Sequence, residues 1–131
     1  QRGAPFDDAA FDRGVQVALS ADGEIGPLST LFSARSLGLT GELRASAQPD
    51  YLSGLLIGHE LSALASVQRR RRNSVHLPSI ILIGNTQLCT RYSRALDACG
   101  FARVTLAEQA TERGLWQLAL AAGLITANPS R

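Results

Sequence analysis

Apolar residues recur along this chain at helical spacing in five stretches and condense into two short strands between them. Phe11, Val15, Ala18 and Leu19 share one face of a predicted helix over 7–20, with Asp7 or Asp8 as its N-cap. The turn-rich segment 21–27 breaks that helix, and a shorter one around 28–36 carries Leu28, Leu31 and Phe32 and stops near Gly38. Residues 41–49 read as a connector. A long helix follows over about 48–71, with Pro49 in its first turn and Asp50 at the positive end of its dipole. Leu52, Leu55, Leu56, Ala63 and Val67 line one stripe, and Ile57, Leu61 and Leu64 fall opposite. That distribution predicts burial on more than one face. Gly54 and Gly58, four apart, clear a strip along which a neighbouring backbone can come close.

The run Ser-Ile-Ile-Leu-Ile-Gly-Asn-Thr at 79–86 is the most informative stretch. It predicts a strand over 79–84 buried on both faces, then a turn, then a helix over 86–99 that carries Leu88, Tyr92, Ala95, Leu96 and Cys99 on one side and ends at Gly100. A second strand over 101–106 and a helix over 108–122, closed by Gly123, complete a βαβα order with parallel strands. The tail Asn-Pro-Ser-Arg reads as frayed. The turn at 84–86 lies at the carboxyl end of its strand, where open α/β sheets bind ligands. Gly84 permits close approach there, and the helix start offers unpaired amides. Two parallel strands do not make an independent sheet. We therefore expect the remaining strands to lie upstream of Gln1, in keeping with the absence of an initiating Met.

Composition narrows the options. The chain has 131 residues, 45% of them apolar, which suits one globular unit. It has no apolar run long enough to span a membrane and no signal-peptide core. Of thirteen basic residues four form one block, Arg69–Arg72, leaving nine against eleven acidic ones, so the body offers no broad basic face for nucleic acid. The block itself reads as a solvated helix end. Cys89 and Cys99 fall on one predicted helix, roughly 15 Å apart against a disulfide limit of ~7 Å between Cα atoms. They read as structural thiols of a reducing cytoplasm, and no Cys/His spacing suggests a metal site.

The segments AFDRG at 10–14, LFSARSLGLTGEL at 31–43, YLSGLLIGHEL at 51–61, IILIGNTQLCTRYSRALDACG at 80–100 and ATERGLWQLA at 110–119 occur in order over almost the whole chain. Through them the chain resembles the C-terminal part of the 2-dehydro-3-deoxygalactonokinases (2-keto-3-deoxygalactonate kinases). The resemblance implies an α/β fold, the C-terminal part of an actin-like (ribonuclease H-like) ATPase lobe. Residues 1–47 would be a helical connector or insert, and 48–131 the C-terminal half of the second lobe. It further implies transfer of the ATP γ-phosphate, with Mg2+, to 2-dehydro-3-deoxy-D-galactonate in cytoplasmic galactonate catabolism. The implied partners are ATP, a 2-keto-3-deoxy sugar acid and the preceding portion of the same protein, with no nucleic acid and no membrane; a homo-oligomer is compatible.

Under the resemblance Gly84, Asn85 and Thr86 are nucleotide-binding, and the glycine of the Glu108–Gly114 stretch packs beneath the nucleotide. Thr86 reads equally as the N-cap of its helix. Ser53, Glu60 and Arg35 are candidate secondary contacts, Arg35 through the fit of a guanidinium to a carboxylate. Duller roles stand beside them: a small packing residue, a structural hydrogen bond and a salt bridge. His59 reads as packed or reaching the surface, and Trp116 as core or a lobe contact. No residue matches the family's phosphate hairpin, metal-orienting acids or catalytic base. The isolated chain is therefore expected to be inactive. A non-catalytic half-lobe that pairs with a partner chain is the alternative, and a nucleic-acid helper using the arginine block is a third.

Overall fold

The computed structural model describes residues 5–20, 26–72, 78–107 and 109–126. Glu108, most of the predicted break at 21–27, the C-terminal tail and the side chain of Arg72 lie outside the described residues. Among the described residues there are five α-helices: α1 (Asp8–Leu19), α2 (Pro27–Leu39), α3 (Gln48–Arg72), α4 (Thr86–Ala98) and α5 (Ala110–Ala121). Strands β1 (Ile80–Leu82) and β2 (Val104–Leu106) pair in parallel, with Ile80 opposite Val104 and Leu82 opposite Leu106. The architecture is α/β.

Asp7 caps α1, its side chain accepting from the Ala10 N–H at 3.0 Å. Helix α2 stops near Gly38 as expected, ending at Leu39, and the chain turns at Gly41, whose φ is +76°. A short 3₁₀ turn at Ala45–Ala47 leads into α3. At the end of α4, Gly100 adopts φ +87°, and the amides of Gly100 and Phe101 donate to the carbonyls of Asp97 and Leu96. That closing motif takes up Phe101, so β2 begins at Val104 rather than at 101.

Helices α1 and α3 form the centre of the molecule. A Cβ on Gly54 would strike the Phe11 carbonyl oxygen, and one on Gly14 the Tyr51 carbonyl oxygen. One on Gly58 would lie 2.7 Å from the Ala18 methyl. The expected close approach along Gly54 and Gly58 is therefore present, with Gly14 as its counterpart. Two apolar clusters flank this contact. Phe11, Val15, Ile57, Leu61, Ala95, Leu96 and Phe101 bury one side against the sheet, and Ala34, Leu43, Ala47, Tyr51 and Leu55 bury the other against α2. Leu56, Ala63 and Val67 are exposed, so the stripe expected along α3 is only partly buried.

Polar contacts fix α4 to this pair. The buried Asp50 carboxylate accepts from the Asp7 N–H at 2.9 Å and sits 3.6 Å from the Arg91 guanidinium, which lies 4.4 Å over the Phe6 ring. Arg94 grips Asp12 through Nε and Nη2 and approaches Asp8 at 3.3 Å. Its hydrogen bonds hold the Asp12 carboxyl below the usual range, partly offset by desolvation. The stabilisation that follows is complete above the ordinary aspartate range and is lost as pH falls below it.

The sheet corrects one expectation. Helices cover one face of β1, and Ile81 and Ile83 on the other remain 66% and 62% exposed. Helix α5 buries none of its residues, and Trp116 is 52% exposed rather than core. Among the described residues, nothing comes near the position a Cβ would take on Gly114.

Gly54→Ala is expected to destabilise the protein by about 1–3 kcal/mol through overpacking against the Phe11 carbonyl. Gly114→Ala should instead gain up to about 1 kcal/mol of helix propensity. Urea denaturation of both variants checks the contrast, and equal midpoints would refute the close-contact account.

Candidate functional site

The carboxyl ends of β1 and β2 open into a cleft of about 700 Å³. Its first wall is built by the β1–α4 turn. Asn85 is extended (φ −71°, ψ 151°), and its side-chain oxygen accepts from the Leu88 N–H at 2.8 Å. Asn85, not Thr86, is therefore the N-cap: its carboxamide reaches the third helical amide, and Thr86 becomes the first helical residue. With Leu88 capped and the Cys89 amide bonded to the Asn85 carbonyl at 3.0 Å, the amides of Thr86 and Gln87 have no acceptor among the described residues. Gly84 lies in the same wall. A Cβ there would meet only the Cys89 sulfur, at 3.5 Å, an ordinary contact, and its φ is not positive. Neither packing nor backbone conformation within the described chain demands glycine at this point.

The second wall comes from the β2–α5 turn. The Ala107 amide donates to the Leu82 carbonyl at 2.9 Å, extending the strand pairing. Gln109 then takes a left-handed conformation (φ 53°, ψ 22°), the one positive φ on a non-glycine among the described residues. Such backbone is sparsely populated. It swings Thr111 and Glu112, in the first turn of α5, onto the cleft. Among the described lining residues Glu112 carries the sole charge, and no lysine or arginine is present.

Gly84, Asn85 and Thr86 are thus brought together on one cleft. The three candidate secondary contacts do not line it. Glu60 accepts a hydrogen bond from the Tyr92 hydroxyl at 2.6 Å, which joins α3 to α4. Ser53 is half-buried on α3. Arg35 is exposed beside a separate groove of about 400 Å³ walled by Leu31, Leu39, Leu52 and Gln48, and among the described residues it forms no salt bridge. His59 is half-buried with Nε2 2.7 Å from the Thr30 hydroxyl. Arg69, Arg70 and Arg71 are exposed at the end of α3. Gln109, Thr111, Glu112 and Cys89 were not anticipated. The strand-end rule that selected 84–86 would have found three of them had it been applied to the second strand.

Both cysteines are buried and unpaired, and burial pushes the Cys99 thiol up. Among the described residues no group of three or more His, Cys, Asp or Glu side chains could hold a metal ion, and no helix is long and apolar enough to cross a membrane.

A βαβα unit with an open cleft at the ends of its parallel strands defines an α/β protein, and strand ends of this kind are where open α/β sheets take up ligands. The family model of 2-keto-3-deoxy-galactonokinase matches residues 1–118, and the chain belongs to that family. Membership implies a kinase, a transferase acting on 2-keto-3-deoxygalactonate. No curated protein and no solved structure matches the chain.

The Glu60 bond, reinforced by burial, pushes the Tyr92 hydroxyl up to about 12. Its stabilisation is complete below the ordinary tyrosine value of about 10 and is lost as pH rises through the raised one. Tyrosinate absorbance during alkaline titration should show a late phase that Tyr92→Phe removes; a variant that keeps that phase would place the raised group elsewhere.

Proposed function

We propose that this chain supplies the nucleoside-facing part of an ATP-dependent kinase that phosphorylates 2-dehydro-3-deoxy-D-galactonate on its terminal hydroxyl. The observation that carries this reading is a cleft at the strand ends whose Gly84-Asn85-Thr86 wall is free of any internal requirement for glycine, in a chain of this family. The lining suits the neutral part of a nucleotide. Leu82, Ile83 and Leu106 offer apolar surface to a base, and Asn85, Thr86, Gln109 and Thr111 offer polar groups. Among the described lining residues a triphosphate would meet a carboxylate and no cation, so its charge belongs outside, towards the amides at the start of α4 that have no acceptor among the described residues.

The γ-phosphoryl group leaves ADP and joins the sugar-acid oxygen. Charge neutralisation, metal orientation and proton removal must come from elements other than those described here, since the described lining residues include a single carboxylate. Mg2+ supplies charge neutralisation in this class of reaction, and among the described residues no set fits it as a resident site. In this reading the fold is the C-terminal part of an actin-like lobe in a cytoplasmic enzyme. Further strands of that lobe's sheet would pair at the open edges of β1 and β2, and its covering helices would pack on the exposed outer face of β1.

Two outcomes are expected. In the intact kinase Gly84→Val should raise the KM for ATP by about tenfold or more while moving that for the sugar acid by less than about twofold, because the new side chain fills space on the nucleotide side. Equal effects on both substrates would make Gly84 purely structural. The 131-residue chain alone should show no kinase turnover in a coupled ADP-release assay, and a rate near that of the intact enzyme would overturn its role as one part of the machinery.

A further inference from the structure

We propose that Glu112 reads the ribose diol of the nucleotide and so makes the kinase selective for ribonucleotides over deoxyribonucleotides. The inference rests on the nucleotide reading of the cleft and adds to it a residue and a selectivity. Four observations carry it. Glu112 is the only charged side chain among the described lining residues. It is exposed, and neither of its carboxylate oxygens is committed to a hydrogen bond or ion pair with another described residue. It stands on the α5 wall, whereas the unpaired amides of Thr86 and Gln87 stand at the α4 wall. Finally, the left-handed Gln109 fixes the start of α5, and with it the place of Glu112 relative to β2.

The chemistry follows from charge. A carboxylate repels a polyphosphate and attracts hydroxyl donors. A nucleotide in the cleft is therefore oriented with its phosphates at the α4 side and its sugar at α5. An ionised carboxylate has two oxygens that accept hydrogen bonds, and a 2′,3′-diol presents two adjacent O–H donors. Bonds to a charged acceptor are stronger than neutral ones. A site built around such a bond discriminates against an analogue that lacks the hydroxyl, because the carboxylate is then left without its donor. Glu112 acts on binding and orientation, not on the transferred phosphoryl group.

The experiment compares kcat/KM for ATP and 2′-deoxy-ATP in the intact kinase, in Glu112→Ala and in Glu112→Gln. The unmodified enzyme should favour ATP by about tenfold or more, the size expected of one hydrogen bond to a charged group. Glu112→Ala should bring ATP down to the level of the deoxynucleotide, leave the latter within about twofold, and leave the KM for the sugar acid unchanged. Glu112→Gln, which keeps one carbonyl acceptor, should fall between. Because the side chain is exposed, the fold tolerates both changes. The proposal is overturned if the unmodified enzyme does not distinguish the two nucleotides, if the preference survives in Glu112→Ala, or if both nucleotides weaken equally, as a merely structural role for Glu112 would give. Should Glu112→Ala keep the preference while Gly84→Val still raises the KM for ATP, the diol reading falls and the nucleotide cleft stands. Should Gly84→Val leave that KM unchanged, the cleft reading falls, and this one with it.

Discussion

The contact between α1 and α3 is the constraint on which the rest of the structure depends. Gly14 meets the Tyr51 carbonyl, Gly54 meets the Phe11 carbonyl, and Gly58 meets Ala18 and Val15, so the two backbones approach without intervening side chains. Interiors packed at crystal-like density do not yield to an added methyl group without displacement. The benefit lies on both sides of the contact. With the helices this close, Phe11 and Val15 reach the cluster shared with α4, while Ala10 and Ala18 reach Tyr51 and Leu55 in the other.

Helix α4 inherits its position from that pair. Asp50 links the start of α1 to Arg91, Arg94 reaches back to Asp8 and Asp12, and Tyr92 reaches Glu60. Of these, the Asp50 contact is the buried one, and removing one partner of a buried ion pair is far more costly than removing an exposed pair. Because the cleft's first wall is the amino end of α4, these contacts, remote from the cleft, set where Gly84, Asn85 and Thr86 stand.

Periodicity made the helices legible. Their burial depends on what packs where, which is why α3 and α5 departed from expectation. Leu56 and Val67 fit the helical stripe but face away from the elements described, and Trp116 sits on a helix that packs little against the body. The N-cap moved by one residue because Asn85 and Thr86 are both competent caps and only the turn geometry decides between them. The start of β2 shifted for a similar reason: Phe101 is apolar enough for a strand, yet its amide closes the end of α4. Glu112 was invisible in the sequence because a lone glutamate in a helical first turn has an ordinary role, and only the fold brings it to the cleft.

Ile81 and Ile83 on the outward face of β1, Leu106 on the other face of the sheet, and Leu115, Trp116 and Leu118 on α5 together leave much oily surface facing water. Soluble monomers rarely carry so much of it without a use. Open strand edges alongside compound the hazard, since they offer unpaired amides and carbonyls to any passing chain. Handled by itself, this polypeptide is expected to be a colloidal problem before it is an enzymological one, with self-adhesion setting its working concentration.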